Sequence, residues 1–139
     1  MDTWVDKVVA KWESEGVKIN APASIEAIES VELAVGFKFP EDFKAFYLQI
    51  NGFRDLDWQE HMFYFWPLER ILEEYNDSTD ENFVGFCDFL LASSYIGFGK
   101  DRPGIFKLYS ISKVKEGEQI ADTFEEIVTM INSSDQLIY

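Results

Sequence analysis

The side chains that most often carry out acid–base or metal chemistry are scarce in this sequence. His61 is the single histidine, so a histidine-based metal site would have at most one such ligand. A structural role for His61 and a catalytic or metal-binding role both fit this position. Cys87 is the single cysteine, and its place in the apolar run FVGFCDF predicts a buried, inert thiol without a disulfide partner. Only the distant His61 could activate it, so the residues predict no catalytic centre.

Three short segments resemble ligand-binding loops, but none has the spacing that the chemistry needs. An EF-hand loop requires glycine at its sixth position and glutamate at its twelfth. DLDWQE has Glu60 and Trp66 at those positions, and NDSTDEN also lacks both residues. In GFGKDRPG, Arg102 stands where a dinucleotide-binding loop has its third glycine, so the glycines suit a twisted hairpin instead. The sequence therefore predicts no bound metal ion and no cofactor.

One carboxylate lies on the apolar side of a predicted helix. Ile25, Ile28, Val31 and Val35 define that side, and Glu32 projects within their arc. An inward carboxylate needs a partner, such as backbone amides at a helix start or a basic side chain. We therefore expect a structural role for Glu32, and the alternative is a catalytic acid with a raised pKa.

The chain is strongly acidic, with 26 Asp and Glu against 12 Lys and Arg and a net charge of −14. A field of this sign repels phosphates, which makes nucleic acid a poor partner. The same field attracts cationic proteins and speeds their encounter with this one. The alternative is that the charge serves solubility alone.

The negative charge is concentrated in residues 54–82. This segment has nine acids and two arginines, so it carries −7, which is half of the net charge in 29 residues. Trp58, Trp66 and Tyr75 are interleaved with the acids, and such aromatic residues can anchor a protein partner. The alternative is a solvated acidic face whose aromatic side chains turn inward. On the first interpretation, we predict a partner-binding surface at Asp55, Asp57, Trp58, Glu60, Asp77, Asp80 and Glu81.

Capping residues and apolar periodicity predict the helices that position these side chains. Three N-terminal helices are bounded by Asp2 or Thr3 and Gly16, by Ser24 and Gly36, and by Pro40 and Asn51-Gly52. Pro40 suits the first position of its helix, because the amide that proline lacks would be unpaired there. A short acidic helix, PLERILEEY, comes later, and a last helix starts at a capping box of Thr123 and Glu126.

Runs of aromatic and branched residues predict strands between these helices. The strands are MFYFW, FVGFCDFLLAS, SYIGFG and GIFKLYSI, with turns at KDRPG and VKEGEQ. This order predicts a single α+β domain over residues 1–139, with a mostly antiparallel, twisted sheet flanked by N-terminal helices and a C-terminal helix. No apolar run reaches the about 18 residues that span a bilayer, and the N-terminus has no signal-peptide core. With one cysteine as well, we expect a cytoplasmic protein that does not bind a membrane.

Short motifs in the first half of the chain match a known pattern. It consists of a helix that ends near glycine, then Leu-Pro-x-Asp, an aromatic-rich helix and Asn-Gly. These positions are filled here by Val31-Glu32, Gly36, Phe39-Pro40-Glu41-Asp42, Phe43, Phe46-Tyr47 and Asn51-Gly52, with Phe39 in place of the usual leucine. The chain thereby resembles the SUKH superfamily, the Smi/Knr type of domain. PLERI and DTFEEIV extend the resemblance to about residues 20–131.

The resemblance implies a fold and a class of function. The implied fold is a single α+β domain with helices around a mostly antiparallel sheet, and no catalytic residues are implied. Many bacterial members look like immunity proteins that neutralise a cognate polymorphic toxin, often a nuclease, and fungal relatives regulate cell-wall synthesis. Together with the acidic surface, this predicts an immunity protein whose partner is a basic toxin domain. The alternative is a regulatory scaffold that docks several partners, and an enzyme is not expected.

Overall fold

The computed structural model describes residues 3–109 and 117–139, which form helices around one sheet. The helices are α1 (Trp4–Ser14), α2 (Ile25–Val35), α3 (Glu41–Tyr47), α4 (Leu68–Asp77) and α5 (Phe124–Ser133), and a 3₁₀ turn covers Gln136–Ile138. The strands are β1 (Phe63–Phe65), β2 (Phe83–Phe89), β3 (Ser94–Gly99), β4 (Ile105–Leu108) and β5 (Glu118–Ala121).

The strands pair in chain order, β1-β2-β3-β4-β5, and each pairing is antiparallel. The predicted α+β fold with an antiparallel sheet is therefore confirmed. Residues 110–111 of the predicted strand GIFKLYSI and residues 114–116 of the predicted turn VKEGEQ lie outside the described residues. In the described ranges, no helix combines the length and the apolar character needed to cross a bilayer.

The first two helices begin and end at the predicted capping residues. Thr3 Oγ1 accepts the N–H of Asp6 at 3.2 Å, and the Asp6 carboxylate accepts the N–H of Thr3 at 3.0 Å. Ser24 Oγ accepts the N–H of Ala27 at 3.0 Å in the same way. Gly36 ends α2 at φ 70°, in the left-handed region that glycine enters without steric cost. Local side-chain chemistry is thus enough to define these helix ends.

The third helix is shorter than predicted because another segment takes over the hydrogen bonds at its end. α3 ends at Tyr47, four residues before Asn51. The Tyr47 carbonyl accepts the N–H of Ala23 at 3.0 Å, and the N–H of Asn51 donates to the Ala21 carbonyl at 3.2 Å. In a continuous helix, the Asn51 N–H would bond to the Tyr47 carbonyl. The prediction that Asn51-Gly52 closes the helix is therefore wrong.

Asn51-Gly52 instead connects α3 to the start of α4. Pro67, the N-cap of α4, makes no side-chain capping bond. Asn51 supplies that bond, since its Oδ1 accepts the N–H of Leu68 at 2.8 Å. Gly52 has φ 67° and lies so close to the chain that a Cβ there would be 2.5 Å from the carbonyl carbon of Trp66. The position thus needs glycine both for its conformation and for its space.

The start of α3 differs from the prediction by one residue, and the predicted capping box of α5 forms only in part. Pro40 is the N-cap of α3 and not its first helical residue. At α5, Thr123 Oγ1 accepts the N–H of Glu126 at 3.1 Å, as predicted. The Glu126 carboxylate, however, accepts the N–H of Asp122 at 2.7 Å and not that of Thr123. The bond from the cap side chain therefore forms as in a capping box, whereas the bond to the Glu126 carboxylate comes from the residue before the cap.

Aromatic side chains fill the space between the helices and one face of the sheet. The Phe124 ring, at the start of α5, has its centroid 5.1 Å from that of Phe43 and 5.0 Å from that of Phe86. All three side chains are fully buried. Trp12 adds a polar link between the first and last helices, since its Nε1–H donates to Asn132 Oδ1 at 2.9 Å. The core therefore joins the two ends of the chain.

The other face of the sheet is flanked by α4. Strand register sets Tyr64 opposite Asp88, Asp88 opposite Tyr95, and Tyr95 opposite Leu108. Directly opposite residues of antiparallel strands share a face, so these four side chains form one row. The Arg70 guanidinium of α4 lies 5.5 Å from the Tyr64 ring centroid. We call this surface the second face.

Glu32 has the partners expected of an inward carboxylate. Its side chain is 10% exposed, and its Oε2 accepts the N–H of Phe39 at 2.7 Å. The Lys44 ammonium lies 3.6 Å from the same oxygen. The prediction that Glu32 pairs with a backbone amide or a basic side chain is confirmed for both kinds of partner. One carboxylate thus links α2, the segment before α3, and α3 itself.

Glu32→Ala should lower the free energy of unfolding by roughly 1–3 kcal/mol, because it leaves the partly buried N–H of Phe39 without an acceptor. Glu32→Gln keeps an acceptor oxygen and should cost less. Urea denaturation of both variants measures the difference, with Glu29→Ala on the exposed side of the same helix as the control. Unchanged unfolding midpoints for both Glu32 variants would contradict this role.

Candidate interaction surface

The first half of the predicted surface lies on the loop between α3 and β1. Its most accessible charged member is Asp55, whose side chain is 65% exposed. Trp58 keeps 36% of its surface exposed, and Leu56 between them also faces solvent. Asp55 and Leu56 both have positive φ, at 57° and 58°. The loop therefore presents an acid and two large apolar side chains, and one of the two, Leu56, has a backbone conformation that a leucine rarely adopts.

Two other acids of this loop are engaged by the rest of the protein. Asp57 Oδ2 accepts the N–H of Lys18 at 2.8 Å, so this carboxylate holds the loop against the segment after α1. Glu60 lies 3.2 Å from the Lys11 ammonium and 3.1 Å from Nε2 of His61. Asp57 therefore stabilises the loop, and the nearby Lys11 ammonium offsets part of the negative charge of Glu60.

The second half of the predicted surface lies at the other end of α4. Asp55 borders an opening that Pro67 also lines, at the start of this helix. Asp77 is the last residue of α4, and Asp80 and Glu81 follow it. A helix of this length spans about 15 Å. The seven predicted residues thus form two groups, separated by the length of α4.

The sequence left open whether the aromatic residues among the acids face outward or turn inward, and the structure shows both arrangements. Trp58 faces solvent. Trp66 is fully buried, and its Nε1–H donates to Asp88 Oδ2 at 2.7 Å. Tyr75 is half-buried, and its hydroxyl donates to the Glu81 carbonyl at 2.9 Å. An exposed anchor is therefore present at one position, while the other two rings support the fold.

The turn between β2 and β3 adds exposed apolar residues that the sequence interpretation missed. Leu90, Leu91 and Ala92 have φ of 49°, 54° and 69°, so strand β2 ends at Phe89 and the predicted strand FVGFCDFLLAS is wrong beyond it. Leu91 is 76% exposed. The N–H of Leu90 donates to the carbonyl of Met62 at 3.0 Å, which joins this turn to the acidic loop.

Three consecutive non-glycine residues in the left-handed region are costly, by about 1–2 kcal/mol each. The turn is held by the N–H of Ser93, which donates to the Phe89 carbonyl at 2.9 Å, and by the N–H of Ala92, which donates to Asp88 Oδ1 at 3.3 Å. Strain of this kind collects at sites of function. The loop and the turn together form what we call the edge surface, which consists of Asp55, Leu56, Trp58, Glu60, Met62, Leu90 and Leu91.

Two groups of types that often take part in catalysis, Cys87 and Asp88, are buried. Cys87 is fully buried, and burial raises the pKa of its thiol well above the usual range, which leaves it protonated and unreactive. Burial also raises the pKa of Asp88, although the hydrogen bond from Trp66 acts in the opposite direction. In the part of the chain that the structure describes, no group of three or more His, Cys, Asp or Glu side chains could hold a metal ion.

Comparison with known proteins identifies a family for most of the chain. Residues 22–130 match the SMI1/KNR4 family (SUKH-1), and no curated protein matches the chain. The matched segment contains α2, α3, α4, all five strands of the sheet and most of α5. The resemblance inferred from the helix and Asn-Gly motifs is confirmed over nearly the same residues. The chain therefore belongs to the SMI1/KNR4 family (SUKH-1).

Proposed function

We propose that this protein is an immunity protein, which binds a cognate toxin domain and neutralises it in the cytoplasm. The partner is a basic protein, such as a nuclease. The observation that carries the proposal is the edge surface, where Asp55, Leu56 and Trp58 are exposed on one loop and Leu91 is exposed on a turn that is hydrogen-bonded to the end of that loop. Membership of the SUKH-1 family and the net charge of −14 support it.

Binding would combine electrostatic attraction of the toxin domain with burial of apolar side chains on contact. A nuclease exposes positive charge where it binds phosphates, so an acidic protein is drawn to that region and can cover it. Trp58 and Leu91 then supply apolar area that is lost from water on contact. Because hydrogen bonds already fix the turn at Leu90, little backbone entropy is lost on binding. Blocking a toxin in this way needs no reaction by the immunity protein, so we propose no enzymatic activity.

The test of the proposed function uses the toxin-domain gene that we expect beside the gene for this protein. Expression of that toxin domain alone should stop cell growth, and co-expression of this protein should restore it. The purified proteins should form a complex with nanomolar or tighter affinity. Continued growth arrest on co-expression would reject immunity and leave the scaffold function as the better explanation.

Trp58→Ala should raise the dissociation constant for the toxin domain by about 30-fold or more, because truncation of a central aromatic anchor typically costs at least about 2 kcal/mol. Asp55→Lys should mainly slow association, and this effect should disappear at about 1 M salt. Glu29→Lys is the matched control, since it makes the same charge change at an exposed position on α2. Stopped-flow kinetics separates the two effects, and equal rates for Asp55→Lys and Glu29→Lys would move the interface elsewhere.

A regulatory scaffold is the second candidate function, and the two separate acidic groups at the ends of α4 favour it. Two distant patches can serve two partners at once, whereas a single inhibitor needs one. Affinity purification from the native cell distinguishes the two functions. Several partners with micromolar affinity support the scaffold, and one tightly bound toxin supports immunity.

A further inference from the structure

A cleft of about 180 Å³ opens between the C-terminal end of α4 and the second face of the sheet. Four aromatic residues line its sheet side, namely Trp66, Phe83, Tyr95 and Tyr109. Three acids line its helix side, namely Glu74, Asp77 and Asp80. Gly85 lies below the Trp66 and Phe83 rings, and a Cβ at this glycine would meet both rings at 3.1 Å. The absence of a side chain at Gly85 lets the rings form an aromatic wall.

The charges at this end of α4 oppose the stability of the helix. The C-terminal end of a helix carries a partial negative charge, which favours Lys or Arg there and disfavours carboxylates. The last turn of α4 contains Glu74 and Asp77 and no basic residue. Asp77 forms no ion pair with any residue that the structure describes. Glu74 is paired with Arg70, so Asp77 is the part of this departure that no described ion pair offsets, and such departures are typical of functional sites.

The protein already holds one guanidinium with the same kinds of groups. The Arg70 guanidinium lies 5.3 Å from the Trp66 ring centroid, and its Nη2 is 3.2 Å from the Glu74 carboxylate. Lys100 is another cation beside the cleft, and its ammonium donates to the Tyr75 hydroxyl at 2.5 Å. The Lys107 ammonium lies 5.4 Å from the ring centroid of Tyr109. These cations offset part of the negative charge. Asp77 and the negative end of α4 lie on the side of the cleft that faces solvent.

We propose that this cleft binds an arginine side chain of the protein partner. An arginine fits the two walls, because its planar guanidinium stacks on aromatic rings and donates several hydrogen bonds to carboxylates. The volume is sufficient, since a protein cavity of about 150 Å³ holds a benzene molecule. The identity of the partner as a toxin domain rests on the proposed function, whereas the arginine preference rests on the cleft alone.

The cleft can be tested without any toxin, by NMR titration of the full chain with N-acetyl-arginine amide. The matched probe is N-acetyl-citrulline amide, which has the same shape but a neutral urea group. The arginine probe should shift the indole N–H signal of Trp66 and the amide signals of Tyr95 and Asp77 at millimolar concentration. The citrulline probe should leave them in place. Equal shifts with both probes, or none with either, would overturn the proposal.

A pair of variants on one helix turn provides the second test. Asp77→Lys reverses a charge that lines the cleft, and it should weaken binding of the arginine probe by at least about tenfold. Glu73→Lys makes the same change at an exposed position outside the cleft and should alter binding by less than about twofold. Asp77→Lys adds a cation at the negative end of α4, so the helix should persist, as circular dichroism can check. Equal effects of the two variants would reject the cleft as the site.

The two proposals fail in different ways. If the protein rescues cells from the toxin but the arginine probe does not bind, the cleft is not an arginine site and immunity stands. If the arginine probe binds but no toxin is neutralised, immunity fails and the cleft still recognises arginine.

Discussion

Phe43→Ala should lower the free energy of unfolding by about 3–5 kcal/mol, the usual cost of removing a fully buried phenylalanine ring. Phe43 is fully buried, and its ring stacks against Phe39 with 4.1 Å between centroids and against Tyr47 with 4.3 Å. It also contacts Phe98 on the sheet and Phe124 on α5, at 5.7 and 5.1 Å. Because rings from three different elements surround it, the cavity cannot be filled by a local adjustment.

Urea denaturation followed by far-ultraviolet circular dichroism measures this loss. Leu33→Ala is the control, since Leu33 is 86% exposed and its truncation should change stability by no more than about 0.5 kcal/mol. A loss below 1 kcal/mol for Phe43→Ala would show that the ring is not part of a packed core.

Gly52→Ala should destabilise the protein by roughly 2–5 kcal/mol, for two separate reasons. Gly52 has φ 67°, where a residue with a Cβ loses about 1–2 kcal/mol. The new Cβ would also lie 2.5 Å from the carbonyl oxygen of Trp66 and 2.6 Å from the nitrogen of Pro67. Backbone atoms cannot rotate away, so the junction between α3 and α4 must move, which adds the cost of overpacking.

Gly16→Ala separates the two reasons. Gly16 has φ 79°, but nothing lies within 4 Å of the position that its Cβ would take. This variant should therefore lose only the conformational part, about 1–2 kcal/mol. Melting temperatures of the two variants measure the difference. If Gly52→Ala lowered the melting temperature no more than Gly16→Ala, the backbone near Gly52 would be able to shift and accommodate a Cβ. The close approach to Trp66 and Pro67 would then contribute nothing to the loss of stability.

The parts of the fold that could be predicted are those that depend on neighbours in sequence. Thr3, Ser24 and Gly36 define helix ends through groups three or four residues away, so their effect can be inferred from the chain alone. The end of α3 depends on Ala23, which bonds to Tyr47 from a segment far along the chain. No local pattern contains that information, and this is why the helix was predicted to be too long.

The composition of the proposed interaction surface could be predicted from the sequence, but its arrangement could not. The sequence indicates that residues 54–82 are acidic, but it does not reveal that Asp57 is engaged by the Lys18 amide. It also does not separate Trp58, which faces solvent, from Trp66, which is buried. Leu91 was missed because leucine normally avoids positive φ, and the turn is held by bonds that no sequence pattern indicates, among them the one from the Leu90 N–H to the Met62 carbonyl.

The hydrogen bond between Trp12 and Asn132 has a consequence for the order of events during synthesis. Its partners are 120 residues apart, so α1 cannot reach its final packing until the ribosome has made α5. Until α5 emerges, the aromatic faces that Phe124 covers stay accessible on the nascent chain. Contacts this distant in sequence slow folding, because the entropy of closing a long loop is lost before they form. If the proposed immunity function holds, a cell must therefore complete this chain before it releases the toxin domain that the chain would restrain.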